Sequence, residues 1–367
     1  MKTGHNLQEV VQTIMAQKEA SRDFLAPARA MEMVVIGDEP QIALRGDGYP
    51  LKPLAHRQLA EHTQIPKAYY DRMVADDPRL LAHNVNTWLA RSDDTRLVRT
   101  FGPGPGGGIR AYLSDRFRPL DNYDLAEAIL PDILGRNWDI RSCEVTETRL
   151  YLKIVSQDIA AEIPPGHINV RDGGTTHTVH PGLTITNSEV GLGALSVEPT
   201  VHWQHCLNLA TLNASVRRAH SGKRLSAGES PDGGLIEAYI SDATRQLETQ
   251  AVFARVKDVV HATLTEQVFR RMITQVAASS ADRLLASQAE AVVEVLAQQH
   301  DLAEPTRKRV LDHLFDSGDL SRYGLSGAVT RASQDEPDYE TATTMERVGG
   351  HLIEMDRREW DTLTVGA

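Results

Sequence analysis

The chain has 367 residues, of which 41% are hydrophobic and 24% charged, and it carries a formal net charge of −11. This is the composition of a folded protein with a large core, and no apolar run approaches the ~18 residues that a membrane span requires. With only two cysteines, Cys143 and Cys206, it is not a disulfide scaffold and fits a reducing cytoplasm.

The charge is uneven. Residues 226–367 hold 14 Lys+Arg against 24 Asp+Glu, residues 91–225 hold 15 of each, and residues 1–90 hold 10 against 11. An acidic average disfavours nucleic acid, but the local field at a groove decides binding, and the middle of the chain is neutral. Met1 to Ser21 has no apolar centre of a signal peptide, so a cytoplasmic location and no membrane contact are expected.

Taken in order, Met31–Ile36 and Gln41–Leu44 flank Gly37-Asp38-Glu39-Pro40 and predict a small hairpin. Leu51, Leu54, Ala55 and Leu59 fall at helical spacing. Leu59 to Met73 then reads as helix, turn, helix, with Pro66 in the first turn of the second helix and Ile65, Tyr70 and Met73 facing inward. A DNA-reading helix-turn-helix is the sharper alternative there. Asp77-Pro78 opens a helix through Leu81, Val85 and Leu89.

Leu97–Phe101 and Ile109–Phe117 flank a glycine-rich tip, Gly102 to Gly108, and read as a long hairpin. The tip is not followed by Lys-Ser/Thr or a helix, so it is not a phosphate loop. Arg116 and Arg118 have strand spacing and would share a face, with Arg99 and Arg110 close by across the hairpin. Guanidinium groups beside Phe117 and Tyr112 suit phosphate clamping and base stacking; ordinary ion pairs with Asp115 and Asp121 are the plainer alternative. Asp121 or Asn122 caps a helix from Tyr123 to about Leu130, where Pro131 intervenes.

Trp138–Val145 and Arg149–Val155 alternate apolar and polar residues and predict a second hairpin, followed by a loop over residues 159–176. Thr184 to Pro199 reads as strand, break, strand. In the break, Asn187, Ser188 and Glu189 precede Gly191 and Gly193, either as turn chemistry or as a ligand-facing triplet. A strand over Val201–Cys206 leads through Asn208 into a helix. Arg217, Arg218, His220, Lys223 and Arg224 form the most basic cluster, either a solvated face or the second wall of a groove. Helices are expected over Leu235–Leu247, Ala251–Val276, Ala281–Gln299 and Glu304–Phe315. Leu325–Tyr339 reads as polar and mobile, and Thr341–Met355 as a short helix running into a strand.

The architecture expected is α+β: a curved antiparallel sheet with helices on one face, followed by a helical C-terminal region. Three parts are expected: residues 1–90, a mixed hairpin and helices; 91–225, a central antiparallel β-rich core; and 226–367, an acidic helical region. His177, His180, His202 and His205 stand in strand-like segments where i and i+3 diverge, which argues against a metal site. Cys206 beside His205 or His220 fails as a nucleophile for the same reason. No dinucleotide fingerprint, nucleophile elbow or paired-carboxylate motif occurs, so no cofactor or metal is expected.

Several stretches together carry a family resemblance: I-P-K-A-Y-Y-D-R-M (65–73), N-V-N-T-W-L (84–89), R-A-Y-L-S-D-R-F-R-P-L-D-N (110–122), V-T-E-T-R-L-Y-L-K (145–153), N-S-E-V-G-L-G-A-L-S-V (187–197) and M-E-R-V-G-G (345–350). In these the chain resembles a phage- and plasmid-borne family known as domain of unknown function 932. The resemblance covers most of the chain. It departs at Leu209, where the family commonly has glycine after Cys-x-Asn. It implies a mobile-element setting and brings no activity or catalytic residue with it.

The layout is also similar to the phage single-strand annealing proteins of the Red-beta type. The expected function is therefore non-enzymatic binding of single-stranded DNA and strand annealing, by a homo-oligomer. The nucleic-acid-binding residues expected are Arg99, Arg110, Tyr112, Arg116, Phe117, Arg118, Asn187, Arg217, Arg218, His220, Lys223 and Arg224. Two alternatives stay open. One is a counter-defence or other protein-binding factor using the acidic region. The other is a nucleotide or nucleic-acid enzyme built on Asn187, Glu189 and His220.

Overall fold

The computed structural model describes residues 1–102, 106–163, 177–203, 208–213, 216–218, 220 and 242–365. The architecture is α+β, with antiparallel sheets and a helical C-terminal region.

The chain opens with α1 (Leu7–Ala20), capped by Asn6 in a capping box with Glu9. Next come β1 (Arg22–Pro27), β2 (Glu32–Ile36), β3 (Glu39–Leu44) and β4 (Asp47–Pro50). The hairpin expected near residue 37 is β2–β3, and β4 extends it to three strands. Helices α2 (Pro53–His62), α3 (Lys67–Asp76) and α4 (Pro78–Leu89) cover it. Ile65, Tyr70, Met73, Leu81, Val85 and Leu89 are all buried in one core with Met33, Ile42 and Tyr49. The pair α2–α3 thus turns its apolar residues inward.

Strands β5 (Thr95–Thr100) and β6 (Ile109–Ser114) form the hairpin around the glycine-rich tip, and β1 adds to its far edge. The pairing of β1 with β5 ties the first ninety residues to the middle of the chain. Strand β6 stops at Ser114, so Arg116 lies in the turn after it and Arg118 in the irregular stretch beyond, rather than together on a strand face. Helix α5 (Asn122–Leu134) runs through Pro131 instead of ending there. A proline inside a helix removes a single backbone bond, and Ile129 and Ile133 hold the last turn against the core.

The central sheet comprises β7 (Trp138–Val145), β8 (Leu150–Ser156), β9 (Ala161–Ile163), β10 (His177–Asn187), β11 (Leu195–Trp203), β12 (Leu209–Thr211) and β13 (Val216–Arg218). Its main path is β12-β11-β10-β8-β7, with β9 on β10 and β13 on β11. Leu209 sits in a strand where a helix was expected; it is fully buried and pairs with His202.

The C-terminal region is α6 (Asp242–Thr263), α7 (Glu266–Ser279), α8 (Ala289–Gln299), α9 (Glu304–Ser317), α10 (Arg322–Ala332), α11 (Tyr339–Glu354) and α12 (Arg357–Val365). The stretch expected to be mobile is largely α10, whose Leu325, Ala328, Val329 and Ala332 are buried. The strand expected at its end is the last turn of α11.

Helices cover both faces of the sheet rather than one, and the two faces differ chemically. Leu152, Ile154, Leu183, Ile185, Leu195 and Val197 pack on α1, α5 and α6. The opposite face carries Tyr151, Lys153, Thr184, Thr186, Ser196, Glu198 and Thr200, as the cross-strand register requires. Helix α11 lies on this polar face. Gly350 lets it press on the backbone of Thr211, where any Cβ would clash.

Candidate nucleic-acid interface

Four of the expected binding residues are built into the interior. Arg99, on β5, is 2% exposed. Its Nε donates to Asp23 at 3.1 Å, Nη2 to Asp121 at 2.7 Å and Nη1 to the Glu189 carbonyl at 2.9 Å. Burial opposes its charge, but Asp121, Asp23 and Glu189 outweigh that and raise its pKa. Burial likewise pushes the Asp121 carboxyl up, yet Arg99 and Lys18 hold it at about 2.

Arg110 donates to the Glu189 carboxylate, and its guanidinium lies 4.4 Å from the centroid of Phe101. The other Glu189 oxygen accepts the Asn122 N–H, so Glu189 takes over the cap of α5 that Asp121 or Asn122 was expected to supply. Asn187 donates to the Leu120 carbonyl at 2.7 Å and to Asn122 Oδ1 at 2.8 Å. Ser188 donates to the Thr148 carbonyl at 2.8 Å. The polar triplet is therefore turn and joint chemistry. Tyr112 is 2% exposed; its ring faces the Arg96 guanidinium and its hydroxyl meets His62 at 3.2 Å. Arg99 and Arg110 fasten the β5–β6 hairpin to Glu189 at the end of β10, Tyr112 packs against α2, and Asn187 ties β10 to the start of α5, so each makes its polar contacts within the protein.

Arg116, Phe117, Arg118 and His220 meet where the turn after β6 approaches the end of β13. The Arg118 N–H donates to the His220 carbonyl at 2.6 Å, and His220 Nδ1 donates back to the Arg118 carbonyl at 3.2 Å. Phe117 and His220 stack with centroids 5.2 Å apart and planes at 19°. Gly191, at φ +84, makes room for Leu113, whose Cδ2 would lie 2.7 Å from a Cβ there. β13 is held on the β11 edge by the Leu195–Arg218 and Ser196–Arg217 pairs.

Arg116, Arg217 and Arg218 are exposed. Arg118 is half-buried, and its Nη1 folds back to the Asp115 carbonyl at 2.9 Å. His220 is buried, which pushes its pKa down. Lys223 and Arg224 lie outside the described residues, as do His205 and Cys206.

A cleft of about 240 Å³ opens beside this joint, lined by Lys52, Arg110, Thr146, Thr148, Arg149 and Glu189 among others. Thr146 and Thr148 both donate to Glu340 of α11, and Arg149 donates to the Leu192 carbonyl. Sequence reasoning did not nominate Lys52 or Arg149. The usable signal was the Thr-Glu-Thr-Arg turn, whose side chains point outward from a hairpin end.

Among the described residues no group of three or more His, Cys, Asp or Glu is placed to hold a metal. His180 and His202 oppose each other across β10 and β11; burial holds His202 at about 4. Among the described residues no helix is long and apolar enough to cross a membrane. No family model matches this chain, and no curated protein or solved structure matches it significantly.

Proposed function

We propose that this chain binds single-stranded DNA without catalysing a reaction, and that it promotes annealing of complementary strands as a homo-oligomer. One observation carries the reading: two arginine-bearing segments about a hundred residues apart in sequence are locked together by the two Arg118–His220 hydrogen bonds. That lock brings Arg116 to the edge of the sheet that carries Arg217 and Arg218, next to the Phe117–His220 stack, in an otherwise acidic protein. Exposed guanidinium groups with an adjoining aromatic pair suit a phosphate backbone and unstacked bases. Annealing as the use of that binding is read from the sequence layout alone, which is similar to that of the phage single-strand annealing proteins.

The test is a titration of a fluorescent single-stranded oligonucleotide at increasing salt, followed by an annealing assay with its complement. Binding that weakens as salt rises, with faster annealing, supports the proposal. No binding at low salt overturns it.

A further inference from the structure

A second cavity, of about 460 Å³, lies between the polar face of the central sheet and α11, and extends from the β13 edge. Its volume is that of a small-ligand site. Its arginines and imidazoles come from distant parts of the chain: Arg149 from the β7–β8 turn, Arg217 from β13, His300 beyond α8, and Arg347 and His351 from α11. Its floor is hydroxylic, with Thr186 and Ser196 bonded to each other at 2.7 Å.

Thr211, on β12, also lines the cavity. It is 2% exposed and its hydroxyl has no partner. A buried hydroxyl without a partner costs stability unless something binds it. Thr200, paired with Thr211 in the strand register, carries a second unpartnered hydroxyl.

The two carboxylates that line this cavity, Glu198 and Glu354, already hold hydrogen bonds, Glu198 with the cavity's own Arg347. Glu198 accepts a bidentate pair from Arg347 at 2.8–3.1 Å. Glu354 accepts the Asn213 N–H at 2.9 Å, and burial raises its pKa. Glu340 stands 3.9 Å from Arg149. Burial, then His351, lowers the pKa of His300. Arginines, imidazoles and free hydroxyls without an uncommitted carboxylate define an anion site, and planar guanidinium forks suit phosphate.

We propose that this cavity binds a phosphomonoester of about the size of a nucleoside monophosphate, with Arg149 and Arg217 on the phosphate oxygens and Thr211 donating to one of them. The ligand could come from two sources, a free nucleotide or the 5′-phosphorylated end of a strand. The site shares Arg217 with the proposed strand-binding surface, so Thr211, which only the cavity uses, is the residue that separates the two.

Isothermal titration calorimetry of the full chain tests this with dAMP against deoxyadenosine, and with a 5′-phosphorylated oligonucleotide against its unphosphorylated twin. Binding of dAMP but not deoxyadenosine assigns the site to free nucleotide. A preference confined to the phosphorylated oligonucleotide assigns it to a strand end. Loss of one charge-assisted hydrogen bond is worth about tenfold in affinity. Thr211→Val and Arg217→Gln should each weaken the phosphorylated ligand by about that factor without lowering the melting temperature. Thr211→Val should leave binding of the unphosphorylated oligonucleotide unchanged, which separates this site from the surface. If neither phosphorylated ligand outperforms its unphosphorylated counterpart, or if both folded variants bind like the parent, the proposal fails.

Discussion

Lys153 and Glu346 meet at 2.7 Å with neither side chain exposed to solvent. The ammonium also lies 4.5 Å from the centroid of Tyr339. Burial pushes the pKa of Lys153 down, against the pull of Glu346. The pair joins the polar face of the sheet to α11, so it fixes where that helix lies. Breaking such a pair leaves one uncompensated charge and costs about 3–5 kcal/mol, whereas replacing both partners with apolar groups is near neutral. Lys153→Met alone should lower the unfolding free energy by that amount, and Lys153→Met with Glu346→Leu should recover most of it. Urea denaturation of the three proteins measures both steps; a single variant as stable as the parent would show that the pair contributes nothing.

Arg99 and Arg116 are both arginines in a β-rich, polar stretch, yet they should respond in opposite ways to substitution. Arg99 is held by Asp23, Asp121 and the Glu189 carbonyl. Arg99→Met should therefore cost about 3–5 kcal/mol of stability. In conditions where it stays folded, the dependence of oligonucleotide binding on salt should match the parent. A loss of affinity without a loss of stability would return Arg99 to the binding surface.

The difference between those arginines shows what local sequence can carry. Asp77-Pro78 followed by Leu81, Val85 and Leu89 specifies α4 within one stretch, and the helix forms there. The β2–β3 and β7–β8 hairpins are legible for the same reason, because alternation and turn residues are neighbours in sequence. Arg99 is different: its pairing with Asp121, 22 residues on, is the plainer alternative in the sequence, but Asp23 and Glu189 stand 76 and 90 residues away, so no local pattern marks it as interior. The run G-L-S-G-A-V-T within α10 argues against a helix by propensity. Its helix forms because Leu325, Val329 and Ala332 are buried against neighbouring helices. Thr184, Glu198 and Thr200 alternate like residues of a solvent-facing sheet surface; only the placement of α11 buries them.

His202 should make the fold acid-sensitive. It is 2% exposed and neither ring nitrogen has a partner. Burial, with Arg141, the N-terminal amine and His180 adding to it, lowers its pKa from 6.5 to about 4. Between those values the unfolded chain binds a proton that the folded chain refuses, so stability falls as pH drops through that window. The full effect, reached below pH 4, is about 3 kcal/mol. His56, also held at about 4 by burial and Lys67, adds a similar share. His202→Leu should remove one share: melting temperatures of variant and parent should differ more at pH 5 than at pH 8, with the variant higher at pH 5. An equal difference at both values would mean that His202 does not titrate on unfolding.

The surface arginines make the most direct prediction for function. If Arg116, Arg217 and Arg218 each neutralise one phosphate, each contributes about 0.7 to the slope of log affinity against log salt for a single strand. Arg116→Gln with Arg218→Gln should then flatten that slope by about 1.4. It should leave thermal stability within about 0.5 kcal/mol, since both side chains are exposed. Phe117→Leu should act differently. It removes the stack on His220 and should weaken binding by about 1–3 kcal/mol if a base joins that stack, leaving the salt slope as it was. Binding by the double glutamine variant with an unaltered slope would move the strand path away from the Arg118–His220 junction.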